Sequence, residues 1–191
     1  MHVDNHEQTN LVPDPRFTAL ERRWVNQHSP VMRSMIGAWR WPIIQKHGQA
    51  IQAAIVDKCA IDYGGFAGPV GYGAVVVDYQ APHGQPRSLF DIKGKVDTIF
   101  TSHTVEHLSD PVLFFQSCYL KIKEGGTLIV QVPGWRKEHL RAENWLYHEQ
   151  TFCVAGDDCD YTPIDTMISD NGFTVELVDN WNENILVIAR R

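Results

Sequence analysis

Residues 100–110 read Phe-Thr-Ser-His-Thr-Val-Glu-His-Leu-Ser-Asp, which puts His103, Glu106 and His107 in one short stretch. Two imidazoles four apart, with a carboxylate beside the second, are the ligands and general base of a zinc-dependent hydrolase when all project from one continuous helix. A third ligand could come from Glu138, Glu143 or Glu149. The flanking residues argue against the helix. Residues 96–102 read as a buried strand running into His103, and Asp110-Pro111 is a helix start, with Asp as N-cap and Pro at the first helical position. Residues 103–109 are therefore expected to connect a strand to a helix with at most one turn of their own. On that reading His103, Glu106 and His107 stand at the carboxyl end of a strand and face a cleft. The alternative for Glu106 and His107 is that they only tie this loop to its neighbours.

The elements that would hold such a loop are legible around it. From Arg16 to Lys58 apolar residues recur at spacings of three and four (Phe17, Leu20, Trp24; Met32, Met35, Ile36, Trp39; Ile44, Ile51, Ile55), interrupted near Ser29-Pro30 and Trp41-Pro42. This predicts three helices, with the tryptophans as packing and cap residues, and a helical N-terminal cap or lid over residues 1–57. Beyond it, residues 59–63, 74–79, 96–102, 127–132, 173–181 and 184–191 are short β-branched runs bounded by Gly, Pro, Asn or Asp. Helical patterns fall near 111–123 and 162–171, with a further one near 136–143. Nearly continuous apolar strands alternating with helices predict an α/β fold, a mostly parallel sheet covered on both faces in three layers. Too few residues separate the last two strands for a parallel crossover, so the last strand is expected to be antiparallel. The core is thus assigned to residues 58–191.

Composition narrows the class. The chain has 191 residues, 43% hydrophobic and 21% charged, which suits one globular core. A formal charge of −6 gives no electrostatic reason to expect nucleic acid as a partner. No apolar run approaches the length of a membrane span, and the first residues lack the apolar segment of a secretion signal. The four cysteines include no C-x-x-C pair, so free thiols in a reducing cytoplasm are expected, and a disulfide between Cys153 and Cys159 is disfavoured. The acidic run 157–160 is expected to be a solvated loop rather than a cation site.

Residues 60–80 join a strand ending in an acid, a glycine-rich stretch, and a second strand ending in Asp78. Ligands of open α/β sheets bind at the carboxyl ends of strands, glycines there allow close backbone approach, and an acid such as Asp78 can accept hydrogen bonds from ribose hydroxyls. Asp62-Tyr63-Gly64-Gly65-Phe66-Ala67-Gly68 resembles the first motif of class I S-adenosylmethionine-dependent methyltransferases, D-x-G-x-G-x-G, and Val-Val-Val-Asp-Tyr-Gln at 75–80 resembles their second. Residues 96–111 are similar to the fourth-strand stretch of the small-molecule branch of that family, and residues 120–134 to the L-K-P-G-G segment after it. His-Glu-Gln-Thr-Phe at 148–152 and residues 168–179 echo later pieces. The resemblance covers 58–191 in order. Two departures stand out: Phe66 replaces the middle glycine, and only ten residues, 64–73, separate the first two strands. That leaves no room for the usual first helix and predicts a site reshaped on this side.

The resemblance implies S-adenosylmethionine as cofactor, held by Asp62, Gly64, Gly65, Asp78, Tyr79, Asp91, Ser102 and His103. Asp91 matches the place of an acid near the adenine; its alternative is a surface carboxylate. A hydroxyl acceptor needs a base, and His103, His107 and His148 are the candidates. Residues 133–152 are dense in aromatic and basic side chains, so Trp135, Arg136 and Tyr147, with Glu106, are the candidate acceptor contacts. A small polar acceptor, such as a sugar or glycan precursor, is expected. The alternative from another class is a non-catalytic binding protein on the same fold with a degenerate cofactor site.

Overall fold

A computed structural model describes residue 38 and residues 41–65, 69–79, 81, 84–135, 149–181 and 183–191. Most of the N-terminal helical pattern, Phe66, and the helix expected near 136–143 lie outside these residues. The described N-terminal part forms α1 (Pro42–Lys46) and α2 (Gly48–Ile55), and α1 begins at the Trp41-Pro42 interruption with Pro at its first position. Ile43, Ile44, Ile51 and Ile55 are fully buried, and they pack against one face of the central sheet with Phe100, Ile129, Leu186 and Ile188. Lys46 and His47, where α1 meets α2, both reach the Asp179 carboxylate, at 2.7 and 2.5 Å. Burial alone would raise that carboxyl, but hydrogen bonds from His47 and Lys46 carry it below its ordinary value.

The sheet contains β1 (Ala60–Tyr63), β2 (Val75–Val77), β3 (Val96–Ser102), β4 (Ile122–Pro133), β7 (Thr174–Trp181) and β8 (Asn184–Arg190), in the order β2-β1-β3-β4-β8-β7. The first four are parallel; β8 runs antiparallel to both β4 and β7, as the short connection requires. On the second face lie α3 (Pro111–Lys121) and α4 (Ile164–Asp170), which bury Phe114, Phe115, Cys118, Ile164 and Ile168. Alternation along the strands feeds both layers: Ile99 packs with α3 and α4, whereas Phe100 packs with α1 and α2. Asp110 caps α3 by accepting from Leu113 N–H at 2.9 Å, the start expected from Asp110-Pro111.

β1 and β2 pair in parallel, Ile61 opposite Val75 and Tyr63 opposite Val77, although so few residues lie between them. Among the described residues of this crossing there is no α-helix. The chain turns instead through Gly71, Tyr72 and Gly73, all at positive φ (80°, 58° and 82°). Val70 and Ala74 fill the layer a helix would occupy, each 1% exposed. Gln52 of α2 pins the turn by donating to the Tyr72 hydroxyl at 2.8 Å.

A small parallel pair, β5 (Phe152–Cys153) with β6 (Thr162–Pro163), follows the undescribed segment and is bridged to the end of β4 through Gly134 and Phe152. Here one expectation is corrected. Cys153 and Cys159 are joined in a disulfide, while Cys59 and Cys118 are free. The loop between them doubles back, with Asp157 N–H on the Val154 carbonyl, and brings the two Cα atoms to 6.8 Å, within bridging range. Among the described residues no helix is long and apolar enough to cross a membrane.

Candidate active site

The carboxyl ends of β1, β2, β3 and β4 meet the amino end of β8 along one edge of the sheet, and of the sequence-predicted residues Asp62, Gly64, Gly65, Asp78, Ser102, His103 and Glu106 lie there. Asp62 is buried in β1, and its Oδ2 accepts from Val70 N–H at 2.6 Å, so the carboxylate folds the crossing loop onto the strand. The two glycines after it are demanded by the protein itself. A Cβ on Gly64, at φ +81°, would collide with the Thr104 side chain, and one on Gly65 would collide with the Asp62 carboxylate. Gly64 N–H donates to the Val77 carbonyl at 2.8 Å, which closes the turn against β2.

Asp78 directly follows β2 and is 9% exposed, whereas Tyr79 beside it is 76% exposed. Asp91 does not enter the edge. Its Oδ2 accepts from Arg87 and Ser88 N–H at 2.8 and 2.9 Å, forming a reciprocal cap with Ser88 on the 3-10 turn Leu89–Asp91. A cavity of about 220 Å³ opens between that turn and α3, lined by Tyr63, Leu89, Phe90, Leu108 and Phe114 among others. It is smaller than the ~300–1,000 Å³ typical of small-molecule sites, so it suits part of a ligand. The Tyr63 ring packs on Phe114 at 4.8 Å. Burial first, then Cys118 and the Asp78 carboxylate, hold its phenol above the ordinary value, so it stays a neutral hydroxyl.

His103 follows β3 directly with φ 51°, a left-handed conformation uncommon outside glycine. Its N–H donates to the Gln131 carbonyl at 2.9 Å, and its ring stacks on Trp41 with centroids 4.1 Å apart. The ring thus turns back over β4 and β8, where Nε2 lies 2.9 Å from Gln131 Nε2 and 3.0 Å from Asn184 Oδ1. Gln131 Nε2 also donates to Asn184 Oδ1 at 3.1 Å, and the Ser102 hydroxyl donates to Gln131 Oε1. Glu106 lies in the 3-10 turn Val105–His107 with its side chain 0% exposed, 3.2 Å from His103 Nδ1 and 3.9 Å from His107 Nε2. His107 is the more open of the two histidines, with 43% of its side chain exposed against 19% for His103. His103, Glu106 and His107 therefore occupy a single turn after a strand rather than a continuous helix. Among the described residues no three metal-ligating side chains form a group that could hold an ion.

Trp135, just past β4, is held by its indole N–H on Asp157 Oδ2 at 3.2 Å, an acceptor shared with Asn180 at 3.1 Å. Arg136, Tyr147 and His148 lie outside the described residues. Three residues at this edge escaped the sequence reading: Trp41, assigned to packing, and the buried amides Gln131 and Asn184. The available signal for Gln131 was a polar residue inside the apolar run Leu-Ile-Val-Gln-Val, where a buried strand offers it no water.

No protein-family model matches the chain, and neither does any curated protein. Solved structures do. An S-adenosylmethionine-dependent methyltransferase from Mesorhizobium loti is 15% identical with a TM-score of 0.50, over 76% of this chain and 97% of that one. Another from Archaeoglobus fulgidus is 12% identical with a TM-score of 0.53, over 92% and 99%. A third, from Clostridium acetobutylicum, is 11% identical with a TM-score of 0.50, over 92% and 98%. At such identities the likeness is one of fold: this chain has the Rossmann-like α/β fold of the class I S-adenosylmethionine-dependent methyltransferases.

Proposed function

We propose that the protein transfers a methyl group from S-adenosylmethionine to a small polar acceptor, a sugar or glycan precursor being the favoured class. The observation that carries this is the placement of Asp78 at the end of β2, beside the Tyr63-lined cavity, at the carboxyl edge of a methyltransferase-type sheet. These residues fit the nucleoside end of the cofactor: Asp78 would accept from the ribose hydroxyls, and the cavity offers the base the Tyr63, Phe90 and Phe114 rings beside the polar side chains of Ser88, Ser109 and Ser117. When bound, the cofactor supplies an electrophilic methyl group on a sulfonium. The protein's own share is to hold the acceptor in line, to exclude water, and to take a proton where the acceptor is a hydroxyl. Among the described histidines, His107 is the one suited to taking that proton, because its ring is the more open and a buried carboxylate lies behind it. Trp135, with Arg136 and Tyr147 beyond it, supplies the stacking and hydrogen-bonding groups that a sugar face would engage.

A second reading has its own support. Gly64 and Gly65 are packed against Thr104 and Asp62, so the glycine turn is filled by the protein rather than left as a cradle. A non-catalytic binding protein would show the same packing. Release of S-adenosylhomocysteine from S-adenosylmethionine, screened over sugar, nucleotide-sugar and amine acceptors, separates the two. Turnover with one acceptor class, reduced about 10²-fold or more in His107→Gln, is expected. Cofactor binding without turnover over the whole panel would favour the binding protein.

A further inference from the structure

Residues 154–158 form a short loop closed at its base by the Cys153–Cys159 disulfide. Asp157 sits inside it, and its Oδ2 accepts from three parts of the chain. The donors are the Trp135 indole N–H past β4 at 3.2 Å, the Asn180 side-chain amide of β7 at 3.1 Å, and the Val154 N–H of the loop itself at 3.4 Å. The Trp135 backbone is held separately, by its N–H on the Phe152 carbonyl at 3.0 Å. The indole therefore follows the position of Asp157, while the strand end that carries it does not. A further tie, Ala155 N–H on Asp165 Oδ1 at 2.9 Å, is exposed and so contributes little. The two sulfurs converge on one oxygen: the Tyr161 carbonyl lies 3.2 Å from Cys153 Sγ and 3.7 Å from Cys159 Sγ. A disulfide has no proton to give that oxygen, whereas a thiol does. The reduced pair thus has an acceptor already in place.

We propose that the Cys153–Cys159 disulfide is a redox-operated latch on the Trp135 indole. Oxidised, it closes the loop and holds Asp157 against the indole; reduced by a dithiol, the loop regains chain freedom and the indole is released. Cys153 is fully buried, whereas Cys159 is partly exposed between exposed Asp158 and Asp160, so attack falls on the Cys159 sulfur. One thiolate of the reductant bonds to Cys159 Sγ, the S–S bond breaks, and Cys153 leaves as a thiolate that takes up a proton. The second thiolate of the reductant then displaces Cys159, which is protonated in turn. The reductant departs as a cyclic disulfide, and two electrons and two protons have passed to the protein. The acids at 158 and 160 favour a neutral dithiol over a reductant carrying further negative charge. That Trp135 meets an acceptor rests on the proposed methyl transfer; the latch does not.

The test is 15N–1H spectroscopy of the tryptophan indoles on the full chain, before and after dithiothreitol, with Trp135 assigned by its loss in Trp135→Phe. Free thiols are counted on unfolded aliquots by alkylation and mass: two are expected before reduction and four after. The Trp135 indole N–H should shift on reduction, exchange with solvent about tenfold faster or more, and recover on reoxidation. Oxidised Asp157→Ala should show the fast exchange with its disulfide intact. Four free thiols before reduction would overturn the proposal, as would a Trp135 resonance unchanged by reduction. Loss of the whole fold on reduction, read by circular dichroism, would overturn it too, because the disulfide would then be a structural staple. So would a folded, oxidised Asp157→Ala with wild-type exchange; if that variant does not fold, the two wild-type spectra decide. Failure of the methyltransferase reading shows separately, as absence of S-adenosylhomocysteine binding to the oxidised protein, and leaves these spectra unaffected.

Discussion

Asp62 and Asp78 are both buried carboxylates at the ends of neighbouring strands, but they have different roles. Asp62 spends one oxygen on Val70 N–H at 2.6 Å, which ties the crossing loop down. Asp62→Ala would remove this buried charge-assisted bond, and a loss of about 1–3 kcal/mol is expected, read as a lower urea midpoint with unchanged slope. A variant as stable as the wild type would show that the loop does not depend on this bond. The sequence marked both acids because each closes an apolar run. It could not separate their roles, since the difference lies in which backbone groups the loop folds against them. Asp91 shows the same limit. Its side chain caps a turn through Arg87 and Ser88 N–H, a choice made by local geometry four residues upstream.

Among the elements, those with a long apolar repeat were legible. β3 spans the same residues as the run read from the sequence, and α3 begins at the expected Asp110 cap. The pair β5–β6 was invisible because two-residue strands carry no alternation. The Cys153–Cys159 disulfide was missed because cysteine spacing does not state how a loop doubles back. It makes a direct prediction: protein unfolded without reductant should titrate two thiols, Cys59 and Cys118, rather than all four cysteines. Four reactive thiols would mean that the 153–159 loop is held by its hydrogen bonds alone. The shortened crossing between β1 and β2 was legible as a count of residues. How it closes, through three consecutive residues at positive φ, depended on Tyr72 adopting a conformation its type seldom takes.

At the scale of the molecule, the α1–α2 unit is fastened to the far edge of the sheet by Lys46 and His47 on Asp179. The folded-state carboxyl of Asp179 lies below its ordinary value near 3.8, so its contribution is present above that pH and is lost as pH falls through the folded value. Asp179→Asn should therefore be less stable than the wild type at pH 7, and the gap should shrink as the pH falls below about 4 in urea titrations. A gap that stays constant with pH would mean that the ion pairs do not contribute. The same unit carries Trp41 onto His103, so the edge of the sheet that holds the candidate site is braced from the α1–α2 face. The most direct measurement is calorimetric titration of the protein with S-adenosylhomocysteine, repeated on Asp78→Ala. Binding weakened tenfold or more by the substitution, about 1.4 kcal/mol, is the result expected of a nucleoside held at the end of β2. Absence of binding in the wild type, confirmed by a second method, or equal affinity in the variant, would contradict it.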